Sequence, residues 1–194
     1  VQVGAHPGLP DLQGFGRRKM AISPAEAEAD VIYQIGALKA FCDAAGVPLH
    51  HVKPHGALYN MAVKDPELAA AICRAVKAAA PEAMLLALSG SEMIKAAQAL
   101  GLRVCSEVFA DRGYQPDGTL VPRGKPGAMI ENEEEAIARV LRMAKQGTVC
   151  AVDGSTVALQ ADSVCVHGDG PKALAFVRKI SAALPAAGVE IKAQ

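Results

Sequence analysis

Short apolar runs alternate along this chain with longer stretches of helical periodicity. Val1 to His6 is apolar and runs into Pro7 and Gly8, which predicts a buried strand leading into a loop from Pro7 to Arg18. Ser23-Pro24-Ala25-Glu26 supplies a cap, a proline at the first helical position and an acid in the first turn. A helix is therefore expected from there to about Ala45, stopped by Gly46. Pro48 to Lys53 predicts a second strand, and Asp65-Pro66-Glu67 opens a helix that ends near Pro81. Met84 to Leu88 and Leu102 to Phe109 read as strands on either side of a helix from Ser91 to Ala99.

The periodicity then breaks. Asp111 to Met129 holds four glycines and three prolines, and a loop of that length inside a compact domain is usually functional. Glu131 to Lys145 predicts a helix with Glu133, Glu134 and Glu135 in its first turns, where the helix dipole favours acids. Val149 to Leu159 carries Asp153-Gly154, a hairpin turn signal. Ser163 to His167 is the last apolar strand, and Gly170-Pro171 starts a final helix to about Leu184. Strands alternating with helices of this length specify βαβ units and a parallel sheet. The expected fold class is α/β, a β/α barrel in a single domain over 1–194, with an open doubly wound sheet as the alternative.

Composition narrows the function classes. Twenty basic and twenty acidic residues cancel, so nothing steers the chain toward nucleic acid or an anionic membrane. A hydrophobic fraction of 51% excludes a disordered chain. No apolar run approaches the roughly 20 residues that cross a bilayer, and no signal peptide is visible. The five widely spaced cysteines form no CxxC pair, which suggests reduced, buried thiols and a cytoplasmic location. The chain begins at Val1, already inside a strand pattern, so upstream sequence is expected to be missing.

The chemistry concentrates where strands end, which in α/β sheets and barrels is where ligands bind. His6 lies in Gly4-Ala5-His6-Pro7-Gly8, His51 and His55 in His50-His51-Val52-Lys53-Pro54-His55-Gly56, and His167 in His167-Gly168-Asp169-Gly170-Pro171. Strand alternation places His51, Lys53 and, where the extended geometry persists, His55 on one side. It likewise groups Glu107 with Phe109 and Asp111, and Cys165 with His167 and Asp169. Acids, imidazoles and a lysine in such rows can move protons and stabilise charge. Arg112 and Arg123 flank the long loop and could hold a carboxylate in a bidentate fork. Structural readings stand beside these: strand-end histidines as hydrogen-bonding core residues, Asp111-Arg112 as a loop ion pair, and Gly168-Asp169-Gly170 as a tight turn. Glu107 inside an apolar strand points further toward function, because a buried acid is costly unless paired. His51 and His55, four residues apart, are weak metal-ligand candidates that lack a third partner. There is no GxxxxGK[ST] phosphate loop, no HExxH and no GxSxG.

These motifs are familiar as a set. Gly4-Ala5-His6-Pro7-Gly8 with Asp11-Leu12-Gln13-Gly14-Phe15-Gly16-Arg17-Arg18 resembles the LamB/YcsF family of 5-oxoprolinase A subunits. So do His51-Val52-Lys53-Pro54-His55-Gly56-Ala57-Leu58-Tyr59-Asn60, Ser106-Glu107-Val108-Phe109-Ala110-Asp111-Arg112 with Tyr114, and Val166-His167-Gly168-Asp169. The resemblance implies a β/α barrel of the seven-stranded, deacetylase-like type, in which this chain lacks the first strands. Family members begin with a further stretch carrying Asn-Cys-Asp-Leu-Gly-Glu and Gly-Phe-His-Ala-Gly-Asp motifs that are absent here. It also implies one subunit of an enzyme that uses ATP, with Mg2+ as its divalent metal, to open 5-oxo-L-proline to L-glutamate. Two partner subunits, B and C, are implied, and a homo-oligomer is compatible with it. Phosphorylation of the lactam oxygen would make it a leaving group before water attacks. On that reading Arg112 or Arg123 holds the substrate carboxylate, with His6, Asp111 and Tyr59 completing the binding set. Lys53 and His55 stabilise charge, and Glu107 or Asp169, assisted by His167, moves protons. The alternatives are a metal-dependent deacetylase or amidase on the same barrel and a non-catalytic substrate-binding subunit.

Overall fold

The computed structural model describes residues 1–168 and 173–192. The chain forms two compact units, Val1–Ser106 and Glu107–Gln194.

The first unit is built from parallel strands joined by helical crossovers. Strand β1 (Val3–Ala5) is followed by helix α1 (Pro24–Ala45), strand β2 (Leu49–Val52), helix α2 (Gly56–Ala62) and helix α3 (Pro66–Ala79). Strand β3 (Met84–Leu88), helix α4 (Glu92–Ala99) and the start of strand β4 (Val104–Phe109) complete it. β1 pairs parallel with β2, placing Gly4 opposite His51, and β2 pairs parallel with β3. The start of α1 is fixed by a full capping box: Glu26 N–H donates to the Ser23 hydroxyl, and the Ser23 N–H and hydroxyl both donate to the Glu26 carboxylate. The helix ends at Gly46 in the left-handed conformation, φ 66°. Asp65 caps α3 by accepting from the N–H groups of Glu67 and Leu68. Val31 and Ile35 of α1, Val52 of β2, Ile72 and Val76 of α3 and Leu85 of β3 are wholly buried. Each such side chain contributes about 1.5–3 kcal/mol through burial. The short helix α2 is not signalled by periodicity. Its seven residues are too few to show an amphipathic stripe, and it starts at Gly56, whose φ of +55° suits glycine.

In the second unit the end of β4 pairs parallel with strand β7 (Ser163–Cys165), with Glu107 opposite Ser163 and Phe109 opposite Cys165. Between them lie helix α5 (Glu133–Gln146) and an antiparallel pair, β5 (Thr148–Cys150) and β6 (Thr156–Ala158), which turns at Asp153-Gly154. Helix α6 (Ala173–Ala186) is last, and the Gly170-Pro171 start expected for it lies outside the described residues. The long glycine- and proline-rich stretch is ordered by its own backbone. Val121 N–H donates to the Gly113 carbonyl, Gly113 N–H to that of Ala128, and Ile130 N–H to that of Asp111. Gly113 is required there: a Cβ at that position would lie 1.9 Å from the Gly127 carbonyl oxygen. The α/β class and the parallel pairing expected from sequence are what the structure shows. Among the described residues no helix is long and apolar enough to cross a membrane.

Candidate functional site

In the first unit the site begins where β1 and β2 end. Gly4 leaves room for its neighbour: a Cβ there would fall 2.1 Å from His51 Nε2. The His51 ring lies edge-on to His50, with the two Nδ1 atoms 3.1 Å apart. Burial lowers the His51 pKa, helped by the charges of His50 and Lys53. One residue beyond β1, His6 Nδ1 is 2.6 Å from the Lys53 carbonyl oxygen, and His6 Nε2 is 2.9 Å from His55 Nδ1. His55 Nε2 is 2.7 Å from the Phe15 carbonyl oxygen. The His6 and His55 rings meet edge to face, 4.7 Å between centroids. Part of His6 is open to solvent, yet the protein packed around its ring lowers its pKa to about 4. The nearby charges of His55 and Lys53 act in the same direction, and the hydrogen bond to Lys53 opposes them.

The loop after β1 is organised by Asp11. Its carboxylate accepts from Gly14 N–H, from Arg18 N–H and from the Arg18 guanidinium, and its own carbonyl accepts from Gly16 N–H. The Arg18 guanidinium holds the Asp11 carboxyl down to about 2, and the Asp11 side chain is only 2% exposed. This loop forces Phe15 into the left-handed region, φ 55°, rare for an aromatic residue and costing about 1–3 kcal/mol. The result aims the Phe15 carbonyl at His55, while its ring packs edge-on against His55 and under the Arg17 guanidinium. Neither Asp11 nor Phe15 stands out from spacing alone. Asp11 and the glycines that follow it are the available signal for a built turn.

Tyr59 is buried in α2, 3% exposed. His51 and His55, which alternation places on one face, have separate partners: one engages His50 and the other His6. The strand ends at Val52, but extended geometry persists to His55: Lys53 N–H donates to the Ala5 carbonyl and His55 N–H to that of Pro7. Among the described residues, no three His, Cys, Asp or Glu side chains gather as a metal-binding group.

The second unit holds a carboxylate–imidazole pair. Asp111 Oδ2 lies 2.8 Å from His167 Nδ1 and Oδ1 lies 3.1 Å from it, and the His167 backbone N–H donates to Oδ2 at 3.2 Å. Burial alone would raise the Asp111 carboxyl, but the hydrogen bonds and charge of His167 outweigh it and hold it below its ordinary value. The Phe109 ring stacks on His167 at 5.7 Å and 24°. Alternation along β4 thus places Phe109 and Asp111 together against His167, as the pattern predicts. Tyr114, 2% exposed, accepts from the Phe109 N–H at 2.9 Å, and burial pushes its phenol far above the usual range. Glu107 is buried on the same strand, 3% exposed.

Arg112 is buried, and its guanidinium turns inward. Nε donates to the Ala128 carbonyl and Nη2 to that of Val121, so two of its donors hold the long loop. Burial lowers its pKa, as does the nearby charge of Arg123, which itself reaches Met129 Sδ. Arg139 of α5, not singled out from sequence, donates to the carbonyls of Arg112 and Cys150. Asp169 lies outside the described residues.

The motif residues therefore sit in built surroundings in each unit: a carboxylate fixing one nitrogen of a strand-end imidazole in the second, and paired histidines at strand ends in the first. The LamB/YcsF family model matches residues 1–194. The chain belongs to the LamB/YcsF family. Among its LamB/YcsF relatives is the 5-oxoprolinase A subunit of Clostridium beijerinckii, 59% identical over 191 residues, which span 98% of this chain and 75% of that protein. The 5-oxoprolinase A subunit of Bacillus subtilis is 54% identical over 193 residues, spanning 100% of this chain and 75% of the relative. The crystal structure of the lactam utilization protein from Thermus thermophilus superposes with a TM-score of 0.89 at 53% identity, covering 100% of this chain and 77% of that one. The LamB/YcsF fold is therefore shared through the whole chain.

Proposed function

We propose that this chain is the A subunit of an ATP-dependent 5-oxoprolinase, which opens the lactam of 5-oxo-L-proline to L-glutamate together with two further subunits. The observation that carries this reading is the Asp111–His167 pair, found in a chain whose relatives bear that enzyme's name. Asp111 accepts from His167 Nδ1–H, which leaves the Nε2 lone pair to act as a base. A lactam is a stable amide, so water attack needs both a base and an activated carbonyl. Transfer of the ATP γ-phosphoryl group to the lactam oxygen, with Mg2+ accompanying the nucleotide, weakens the amide resonance. His167 then takes a proton from the attacking water and returns it to the ring nitrogen as the C–N bond breaks. The acyl phosphate so formed is hydrolysed by a second water, giving glutamate and phosphate.

The test is glutamate release from 5-oxoproline by this chain mixed with its two partner subunits. Glutamate should form only with both the chain and ATP present, and His167→Gln should lower turnover at least about a hundredfold. Release that proceeds without the chain, or without ATP, overturns the reading.

A further inference from the structure

We propose that the loop from Asp11 to Met20 is a docking surface for a partner protein subunit, with Leu12 and Phe15 entering an apolar pocket rimmed by carboxylates on that subunit. The inference rests on reading this chain as one subunit of a multi-subunit oxoprolinase. It starts from a side chain that the fold leaves unexplained. Phe15 is 69% exposed and stands in the left-handed region at φ 55°. That conformation strains an aromatic residue and suits glycine, which the sequence supplies on either side as Gly14 and Gly16. The contact with His55 Nε2 uses the backbone carbonyl of residue 15, which any residue provides. Inside the fold the ring gains only its edge contact with His55 and its place under Arg17. A residue that breaks a local rule with so little return inside the fold points to something outside it.

A single exposed apolar residue is ordinary on a protein surface. Here two share one turn. Leu12 is 96% exposed, and Phe15 N–H donates to its carbonyl at 3.4 Å. The turn is held from below: Gly16 N–H donates to the Asp11 carbonyl, and the Asp11 carboxylate accepts from Gly14 N–H and Arg18 N–H. Anchors fixed in this way lose little freedom on binding, and aromatic anchors are among the residues that dominate interfaces. Charge gives the chemistry of the partner. Residues 11–20 carry three cations, Arg17, Arg18 and Lys19, against one acid, Asp11, in a chain of zero net charge. The Asp11 side chain is 2% exposed and that of Arg18 is 64% exposed, so the loop shows its cations to solvent. The Arg17 guanidinium lies over the Phe15 ring, 5.4 Å from its centroid, which joins the apolar and cationic parts in one patch. An apolar centre with a cationic rim complements a pocket edged by acids. Two anchors on a fixed turn suit such a shaped pocket, whereas an anionic bilayer takes the long apolar face of an amphipathic helix.

The experiment uses the full chain with Leu12 replaced by the photo-crosslinker p-benzoylphenylalanine, at a position too exposed to disturb folding. Irradiation in a mixture with the two partner subunits should join the chain to one of them. Affinity for the immobilised partner subunits is then measured by surface plasmon resonance. Phe15→Asn removes the ring and tolerates the left-handed turn. It should weaken binding at least about tenfold, as should Leu12→Ser. Arg17→Gln should slow association and reduce its dependence on salt. The chain alone should not sediment with vesicles of phosphatidylcholine and phosphatidylserine. Adducts confined to the chain itself or to a second copy of it, sedimentation with those vesicles, or affinity within about twofold of the parent in both Phe15→Asn and Leu12→Ser would overturn the docking surface and leave the oxoprolinase reading standing. A parent chain that forms no complex with either subunit would overturn both.

Discussion

Asp111→Asn isolates the part Asp111 plays in positioning His167. The substitution keeps size and shape but places a donor beside Nδ1. Oδ2 faces both the His167 backbone N–H and Nδ1, so the amide oxygen that keeps the backbone bond takes that position and the amide nitrogen takes the Oδ1 position, 3.1 Å from Nδ1. The charge is lost and one of the two contacts to Nδ1–H becomes donor against donor, which favours the tautomer with the proton on Nε2 and removes the lone pair assigned as the base. A positioned general base is worth about 10²–10⁴ in rate, or roughly 2.7–5.4 kcal/mol. The kcat for ATP-dependent glutamate release should fall by that factor with KM little changed, and the acid limb of the pH profile should flatten. Ring 15N shifts should report an Nε2–H tautomer in the variant against Nδ1–H in the parent. Stability gives a second readout. The folded Asp111 carboxyl is held below its unfolded value of about 3.9, so its contribution is present above that pH and is lost as pH falls through the folded pKa. The stability gap between parent and Asp111→Asn should therefore close in acid. Turnover within about threefold of the parent, in a variant whose tautomer has switched, would refute the assignment of His167 as base.

Tyr114→Phe leaves the buried Phe109 N–H without its acceptor and should cost about 1–3 kcal/mol in urea unfolding, or about 2–4 °C in Tm for each kcal/mol; a midpoint within error of the parent would contradict this. Gly113→Ala drives a Cβ against the Gly127 carbonyl, so the backbone must move; a loss of at least about 1–3 kcal/mol and faster proteolysis between Asp111 and Met129 are expected. Asp11, held near 2 by Arg18, stabilises its loop above the unfolded carboxylate pKa of about 3.9 and loses that hold as pH falls toward 2. Hydrogen exchange at Gly14 and Arg18 should accelerate over that range in the parent, and Asp11→Asn should show fast exchange already at neutral pH.

The elements with long periodic or capped signals are legible in the sequence. Ser23-Pro24 and Asp65-Pro66 start α1 and α3 where the caps require, and Asp153-Gly154 turns between β5 and β6. The alternation that sets Phe109 and Asp111 on one side of β4 is what brings them to His167. Extended backbone persists beyond Val52, with Lys53 N–H donating to the Ala5 carbonyl and His55 N–H to that of Pro7, yet His55 meets His6 of the neighbouring segment while His51 meets His50, a choice of partner that alternation does not encode. Spacing alone makes Arg112 a fork for substrate, whereas the structure turns it onto its own loop. Which of these a guanidinium meets depends on the carbonyls the loop turns inward, and composition does not encode that. Phe15 is invisible for a related reason: its contribution is a backbone carbonyl in a left-handed turn, which side-chain chemistry does not announce.

The thiols bear on how the chain can be followed in solution. Cys42, Cys73 and Cys105 are buried, and burial pushes Cys73 up to about 12, which leaves almost no thiolate for an electrophile to capture. Cys150 and Cys165 are only partly covered. Alkylating reagents should thus sort the five sulfurs into a slow set and a fast set without any being engineered away. Replacing Cys150 by serine would leave Cys165 as the fast site, paired with Phe109 across the two strands and close in sequence to His167. A fluorophore attached there would stand next to the Phe109–His167 stack and turn rearrangement of that imidazole into an optical signal.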